Sequence, residues 1–487
     1  MKKNDIIIVI ATLIYSYLFY DQTPGINIFL FSVVITFLMA LKDNNLFSNG
    51  LWLISSIGAL VSGAMALLHG TGLPVFVNIV SLSMAASFSI RKDSSLIFAL
   101  LYAAYSYFFS LINIFARLFE RSERKEERTP QSYSLLFVTV IPVIITLIFF
   151  FIYRSANPYF DELVSNIRFD FLSWGLIGFT IIGFVLLYGY FNQMDILSLV
   201  YKDLASPDRL INDESTFSKP LLNINNENIS GIVLFVMLNL LLFVVNIVDV
   251  YSLSVVTEFP EGFQYSQVVH QGINSLILSI VIAIAIILFY FRGSLNFYEG
   301  NTAIKILAVV WIIQNTILVV TCGIKNFHYI DEHGLTYKRI GVYIYLIMTV
   351  AGLLTTFIKI VSAKSNWFLF RKNAWVGYAV LILSCLWNWD MLIVKYNLSG
   401  IAAKTDLIYN ASLSDAGLPD LISYCKENPH KMRDNKSFLI ALDIRKKAFI
   451  KEFEERDWQS WNMDDDDIYH ELKSMENLPG IFLVQFF

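Results

Sequence analysis

The chain has 487 residues, of which 56% are hydrophobic and only 16% are charged. A water-soluble globular protein carries roughly 25% charged residues, so this composition excludes an ordinary soluble protein and indicates a membrane protein. The formal net charge of −4 offers no basic surface, which argues against a nucleic-acid partner. Cys322 and Cys385 fall in apolar stretches, Cys425 stands alone in a polar tail, and no CxxC pair indicates a metal site or a disulfide.

Apolar stretches recur through residues 1–393 at the length of a membrane-spanning helix, about 20 residues. Only helices pair every backbone amide within lipid, so we predict an all-α polytopic membrane protein with about 11–12 transmembrane helices. The first stretch resembles a secretory signal but has no small-residue cleavage site, and we expect it to remain as a span. The predicted spans are residues 6–20, 26–41, 51–68, 73–90, 94–116, 135–153, 171–191, 231–253, 273–291, 306–324, 340–360 and 374–393.

Basic residues between the later spans predict the orientation, because Lys and Arg are enriched in cytoplasmic loops. Four alternate segments hold 14 basic residues, whereas the three loops between them, 154–170, 254–272 and 325–339, hold five. We therefore expect the four segments to be cytoplasmic and the C-terminal tail to lie outside. The four segments are residues 117–134, 192–229, 292–305 and 359–374.

The early basic residues disagree with this orientation if residues 94–116 cross the membrane. Either that segment does not cross, or a short early span is miscounted. The basic residues concerned are Lys2, Lys3, Lys42, Arg91 and Lys92.

Two polar loops follow predicted spans. The loop "RSANPYFDELV" (154–164) carries the adjacent carboxylates Asp161 and Glu162. Neighbouring side chains on a helix diverge by about 100°, so these two do not form a catalytic dyad, and we expect an outer loop helix. The polar loop 192–229 has no glycine run for phosphate, and it is a candidate surface for a partner protein.

Polar residues inside the spans form the first candidate site. Asn239, Asn246 and Asp249 recur at spacings of seven and three, which predicts one helix face. That face indicates either a hydrogen-bond stripe between helices or a polar path for an ion or substrate. The residues that extend the candidate path are Gln314, Asn388 and Asp390.

A polar cluster at "HYIDEHGLTYKRIGVY" (328–343) forms the second candidate site, at the outer face. Its two histidines are five residues apart, a spacing that does not direct both at one metal from a helix, so no metal is predicted. The alternative is a solvated charged collar at the membrane surface. The candidate residues are His328, Asp331, Glu332 and His333.

The residues that follow in the same stretch predict the start of a helix. We expect Gly334 to permit a tight turn and Thr336 to cap the next helix. Lys338 and Arg339 are then expected to extend to the lipid headgroups.

Residues 394–487 predict a small extramembrane domain, α or α+β, which we expect outside the membrane as a candidate binding surface for a partner protein. Apolar residues at helical spacing predict a helix near 436–456. The stretch "DDDD" (464–467) lacks the Gly and Glu of a calcium loop, which favours a solvated acidic turn. About 90 residues is near the lower limit for an independent core, so docking on the membrane helices is an alternative.

Motifs for cofactor chemistry are missing from the sequence. There is no GxxxxGK[ST], no GxSxG and no GxGxxG that opens a helix. ATP-driven transport by this chain alone and α/β-hydrolase chemistry are therefore disfavoured, and no cofactor is expected.

Three ordered motifs resemble those of a bacterial family. "GLTYKRIGVYIYL" (334–346) resembles the Gly-Leu-Thr and Arg signature of the multi-spanning proteins of domain-of-unknown-function family 4153/4173. "ANPYFDEL" is similar to a loop of that family, and "DLIYNASLSDAGLPDLISYC" (406–425) and "DWQSWN" (457–462) are similar to its tail. The resemblance implies a bacterial inner-membrane location and a polytopic architecture, but no established activity and no catalytic residue.

Three functions stay open. The first is a non-enzymatic envelope sensor, scaffold or accessory protein, with membrane lipids around it and a possible protein partner. The second is a transporter or channel with a polar path near Asp249. The third is a membrane enzyme that acts on a lipid-linked substrate at the outer face, with Asp161, Glu162 or His333 as acid or base. The lack of a catalytic motif favours the first.

Overall fold

The structure is a computed structural model that describes helices joined by short turns. The described residues form two compact units, Met1–Asp203 with Glu455–Asp466 and Leu204–Glu454 with Asp467–Phe487. The regular elements of these residues are helical, which confirms the predicted all-α polytopic membrane protein. The described residues are 3–114, 142, 145–146, 149–150, 152–160, 173–194, 201–203, 205–210, 223–255, 279–432 and 435–475.

Unit 1 contains six apolar helices among its described residues, and short turns connect the first five of them. Of these, α3, α4 and α6 are long and apolar enough to cross a membrane. By contrast, α5 has 13 residues, and the chain is helical again at 110–114 after a single turn residue. The helices are α1 (Lys3–Phe19), α2 (Ile26–Lys42), α3 (Gly50–His69), α4 (Gly72–Ile90), α5 (Leu96–Phe108) and α6 (Trp174–Phe191).

Small and polar residues let α2, α3 and α4 approach closely, as membrane helices do when no hydrophobic force brings them together. Asn78 of α4 donates from Nδ2 to Ser32 Oγ (2.8 Å) and to Ala59 O (2.7 Å). A Cβ at Gly63 would lie 3.1 Å from Phe29 Cα, so the two backbones are nearly in contact there. The three helices are therefore fixed by direct backbone approach.

The tail segment 455–466 packs against the turns at one end of unit 1. Ile26 N donates to Trp461 O (2.9 Å), which fixes the segment to the α1–α2 turn. At the α3–α4 turn, Gly70 has a φ of +61°, and a Cβ there would lie 2.5 Å from the Asn462 side chain. The Lys42 Nζ–Phe191 O bond (2.5 Å) lies at the opposite end of α2.

The acidic stretch 464–467 is helical, so the predicted acidic turn is wrong. It forms the first turn of α17 (Met463–Ser474), where the partial positive charge of the helix N-terminus stabilises the carboxylates. Asp464 also lies 2.9 Å from Nδ1 of His69, and Asp465 pairs with Arg456.

Unit 2 contains three further helices long enough to cross a membrane, α7, α9 and α10, and a bent pair that counts as a seventh candidate span among the described residues. The helices are α7 (Ile224–Val255), α8 (Ser279–Tyr290), α9 (Thr302–His333), α10 (Tyr337–Val361), α11 (Asn366–Ser384) and α12 (Trp389–Leu398). The tail adds α13 (Leu407–Ala411), α14 (Leu418–Glu427), α15 (Pro429–Met432) and α16 (Lys436–Glu455), the last of which matches the predicted helix.

Two predicted boundaries in unit 2 are wrong. The predicted loop 325–339 is helical up to His333, because α9 has 32 residues and, at about 48 Å, extends beyond a ~30 Å core. The predicted single span 374–393 is divided between α11 and α12, which meet at an angle of 61°. Both ends of α12 contact residues at the α9–α10 turn, since Asp390 accepts from Tyr337 OH and Asn397 accepts from Leu335 N.

The described tail of unit 2 has its own apolar core. Leu418, Ile422, Leu442 and Phe449 pack together with Cys425, which is 3% exposed. Burial raises the pKa of the Cys425 thiol to about 11, so the thiol stays protonated at neutral pH. Cys425 is therefore a core residue, although the surrounding sequence is polar.

Candidate functional site

The polar residues on one face of α7 contact α9. Gln314 Nε2 donates to Asn239 Oδ1 (2.7 Å), and Asn239 Nδ2 donates to Leu307 O (3.0 Å). Two turns further along, Asn246 Nδ2 donates to Gln314 O (3.1 Å). The structure thus brings Asn239, Asn246 and Gln314 together in a buried stripe of hydrogen bonds between two helices.

Asp249, the third residue of the predicted face, forms an ion pair. Its Oδ1 lies 2.8 Å from Nζ of Lys325, and its Oδ2 accepts from Thr321 Oγ1 (3.4 Å). An ionisable group in a span is costly unless it is paired, so the ion pair stabilises both charges. It also joins the C-terminal parts of α7 and α9.

The remaining residues of the predicted polar path lie apart from the stripe. Asn388 caps α12, where its Oδ1 accepts from Met391 N (3.3 Å). Asp390 accepts from Tyr337 OH (2.7 Å) and from Ser414 N (3.3 Å). The path residues therefore form separate groups, each with its own partners, and a transport path stays a prediction.

The predicted outer-face cluster lies on the last turns of α9. His328 and Asp331 are exposed. Glu332 Oε1 lies 3.0 Å from Lys404 Nζ, and Glu332 Oε2 lies 3.9 Å from His333 Nδ1. The cluster therefore meets the tail at residue 404, a contact that no motif in the sequence indicated.

Asp161 and Glu162 lie outside the described residues. Whether they approach His333, as an outer-face enzyme would require, stays a prediction. Within the described ranges, no group of three or more His, Cys, Asp or Glu side chains is placed to hold a metal ion.

The three-residue turn 334–336 between α9 and α10 is held by Asn397 of α12. Asn397 Oδ1 accepts from Leu335 N (2.5 Å), and its Nδ2 donates to Leu335 O (3.0 Å) and to Asn410 Oδ1 (2.8 Å). Gly334 has a φ of +81°, and a Cβ there would lie 2.5 Å from Asn397 Oδ1. The prediction that Gly334 permits a tight turn is confirmed, and a buried amide explains why the turn needs glycine.

Arg339 lies buried under this turn, so the prediction that it extends to the headgroups is wrong. It is 9% exposed. Its Nη1 donates to the backbone oxygens of His333 (2.9 Å) and Gly334, and its Cζ lies 4.0 Å from the centroid of the Tyr329 ring. The carbonyl end of α9 and an aromatic face both favour a cation, which explains the inward orientation. Thr336 caps α10 as predicted, because its side chain accepts from Arg339 N (3.4 Å).

These contacts surround a pocket of about 570 Å³ at the α9–α10 turn, which we call the turn pocket. Small-molecule sites commonly enclose roughly 300–1,000 Å³, so the volume suits a small ligand. Beside the pocket, Ala403 N donates to Asp331 O (3.0 Å) and Lys404 N donates to Glu332 O (3.0 Å), which joins the tail to the last turn of α9. The lining residues are His333, Thr336, Arg339, Asn397, Lys404, Thr405, Asp406, Leu407, Ile408 and Tyr409.

The tail side of the turn pocket is a short capped helix. Asp406 Oδ1 accepts from Tyr409 N (2.9 Å) and so begins α13. The hydroxyl of Tyr409 in turn accepts from Tyr337 N (3.1 Å) at the start of α10. The sequence analysis missed Asn397 and Lys404 as site residues, because residues 394–405 match no motif and their role depends on the fold.

Lys359 is a second buried cation that sequence reasoning missed, since it was counted in the basic segment 359–374. It is 0% exposed, and its Nζ donates to Phe291 O (2.7 Å) and to Lys364 O (3.0 Å). These oxygens follow the C-terminal ends of α8 and α10, where a cation is favoured. The sequence does place Lys359 between Ile358 and Ile360 within the predicted span 340–360, a position that is consistent with burial.

The helices and the turn pocket define a polytopic α-helical membrane protein with a pocket of about 570 Å³ at the ends of two helices. Residues 7–424 match the model of the family described as Domain of unknown function (DUF4153). Since this match covers most of the chain, the protein belongs to that family, and the resemblance noted in its motifs is confirmed. No curated protein and no solved structure gives a significant match.

Proposed function

We propose that the protein is a non-enzymatic sensor or scaffold of the bacterial inner membrane that binds its ligand or partner through the C-terminal tail on the outer face. The observation that supports this most directly is the bonding of the tail to the ends of the spans. Asn397 holds the turn between α9 and α10, while Ala403 and Lys404 bond to the last turn of α9. Binding at the tail therefore acts on the ends of two spans without an intervening flexible linker.

The charges of unit 1 support an outer tail. Residues 455–466 bond to the turns at the start of α2 and α4, whereas Lys42 and Arg91 lie at the far ends of these helices. The positive-inside rule assigns those far ends to the cytoplasm. If residues 94–116 do not cross, the side that the early basic residues share is the cytoplasmic side, and the disagreement in the sequence is removed.

The charges of unit 2 support the same orientation independently. The turn 334–336 and residues 397–410 lie where α9 ends and α10 begins. Lys305 lies at the start of α9, and Lys364 and Arg371 lie beyond the end of α10. Segments 292–305 and 359–374 at that end hold six basic residues, against three in the loop 325–339 at the tail end, so the positive-inside rule favours an outer tail here as well.

The partners of the polar span residues support a non-enzymatic role. Asn239, Asn246 and Gln314 bond to one another or to backbone, and Asp249 pairs with Lys325. Such contacts hold helices together and supply no positioned acid, base or nucleophile for a substrate.

Reporter fusions are expected to show this orientation. Alkaline phosphatase, which is active only outside the cytoplasm, should be active after residue 487, and a fluorescent protein should be bright after residues 93 and 300. The measurement is the ratio of the two reporters at each position. A cytoplasmic reporter signal after residue 487 would overturn the proposed orientation and the proposed site of sensing with it.

A complementation experiment separates a sensor from an enzyme. In a deletion strain challenged with envelope stress, the double variant Asp161→Asn with Glu162→Gln should restore growth as well as the wild type, because a sensor needs no acid–base pair there. Asn397→Ala should restore growth poorly at equal protein level, because it releases the turn from the tail. The opposite pattern would favour the enzyme hypothesis.

A further inference from the structure

We propose that the turn pocket binds a phosphate ester, presented either as a phospholipid headgroup or as a soluble molecule. This rests on the proposed function in that it names the ligand class of the sensor. The residues that line the pocket include two cationic side chains and two hydroxyl groups that can donate to phosphate oxygens.

Arg339 presents a charged edge to the pocket. Its Nη1 is engaged by two backbone oxygens, whereas its Nε and Nη2 make no hydrogen bond with any described residue. The side chain is otherwise buried, and it lines the pocket. Two neighbouring N–H groups of one guanidinium bind phosphate oxygens in parallel, which gives both affinity and orientation.

Lys404 supplies a second cation at the rim. Its Nζ pairs with Glu332 at 3.0 Å, yet the side chain is 67% exposed. An ammonium carries three donors, so two remain for a ligand. Lys404 and Arg339 therefore place two cationic side chains in the lining of one pocket.

Two hydroxyl groups add donors without adding charge. Thr336 Oγ1 and Tyr409 OH each accept one backbone hydrogen bond, from Arg339 N and from Tyr337 N. An oxygen that accepts through a lone pair keeps its own proton, which can be donated to a ligand. A ligand with several acceptors and no donors suits this arrangement.

Two acidic groups lie at the pocket, and each has one oxygen held by a contact within the protein. Glu332 pairs with Lys404, and Asp406 Oδ1 accepts from Tyr409 N. The rim also carries Ile408, which is 78% exposed. An apolar side chain at the rim suits the glycerol and acyl part of a lipid, whereas a soluble ester needs only the polar lining.

Native mass spectrometry of the full-length protein in detergent tests the proposal. Phosphatidylglycerol, diacylglycerol with the same acyl chains, and soluble glycerol phosphate are titrated separately. Phosphatidylglycerol is expected to bind at least about tenfold more tightly than diacylglycerol, because the phosphate contributes charge-assisted hydrogen bonds. If glycerol phosphate binds and the binding depends on Lys404, the ligand is a soluble ester. If phosphatidylglycerol binds and glycerol phosphate does not, the ligand is a lipid headgroup.

Substitutions distinguish binding in the turn pocket from nonspecific attraction to the surface charge around it. Lys404→Gln should weaken phosphate-dependent binding about tenfold, and Arg339→Gln should weaken it further if the variant folds. Lys338→Gln, an exposed lysine next to Arg339 that does not line the pocket, should bind as the wild type does. Equal binding of phosphatidylglycerol and diacylglycerol, or equal loss in Lys338→Gln and Lys404→Gln, would overturn the proposal. A cytoplasmic reporter signal after residue 487 would overturn the sensor orientation but not this binding result.

Discussion

Lys359→Met is expected to lower the free energy of unfolding by about 3 kcal/mol. The ammonium is fully buried, and its loss leaves the carbonyl oxygen of Lys364 without the donor seen in the structure. Hydrogen bonds from a charged group contribute about 1.5–3 kcal/mol each, and a buried acceptor without a donor adds a desolvation cost. Phe291 O keeps one bond, from Asn296 Nδ2, so the loss there is smaller. Equilibrium unfolding in mixed detergent and SDS micelles measures the change.

Lys372→Met is the matched control for this prediction. Lys372 is an exposed lysine on α11, so the same substitution should change the free energy of unfolding by less than about 0.5 kcal/mol. If the two variants unfold alike, Lys359 is not a stabilising contact and the link between the ends of α8 and α10 has another origin.

Gly334→Ala is expected to lower the free energy of unfolding by about 2 kcal/mol or more. Gly334 has φ +81° and ψ 179°, a conformation that is essentially restricted to glycine and costs other residues about 1–3 kcal/mol. The new Cβ would also displace Asn397, whose amide binds both backbone groups of Leu335. The same unfolding measurement reports the cost, and ligand binding at the turn pocket should weaken in parallel.

Gly341→Ala controls for the added methyl group. Gly341 lies seven residues further on, within α10, and a Cβ there would meet no atom within 4 Å. Alanine is favoured over glycine in a helix by about 1 kcal/mol, so this variant should be at least as stable as the wild type. A Gly334→Ala protein as stable as Gly341→Ala would mean that the turn relaxes without cost.

Much of the fold follows from local sequence. The predicted spans 51–68 and 73–90 match Gly50–His69 and Gly72–Ile90, because apolar runs of this length have one favourable structure in lipid. The prediction is wrong where polar residues remain helical, as at His333, because α9 continues past its apolar part and ends only at Gly334.

The candidate site was predicted less completely for a physical reason. Spacing on one helix indicated Asn239 and Asn246, because helical periodicity is local. The turn at Gly334 is held by Asn397, and Lys404 lines the turn pocket, although both residues lie more than 60 positions away in sequence. Contacts at that separation depend on how helices pack, and a single sequence carries no record of the packing.

The close approach of the tail to Gly25 and Gly70 has a consequence for biosynthesis. A Cβ at Gly25 would meet the backbone of Ser460 and Trp461, so the α1–α2 turn packs directly against the tail segment 455–466. At roughly 5–20 residues per second, the ~400 residues between Gly70 and the tail take about 20–80 s to synthesise. The first helices therefore enter the membrane long before their turns are covered. Until then those turns are open to chaperones, and a chain that stops before residue 455 leaves them uncovered permanently.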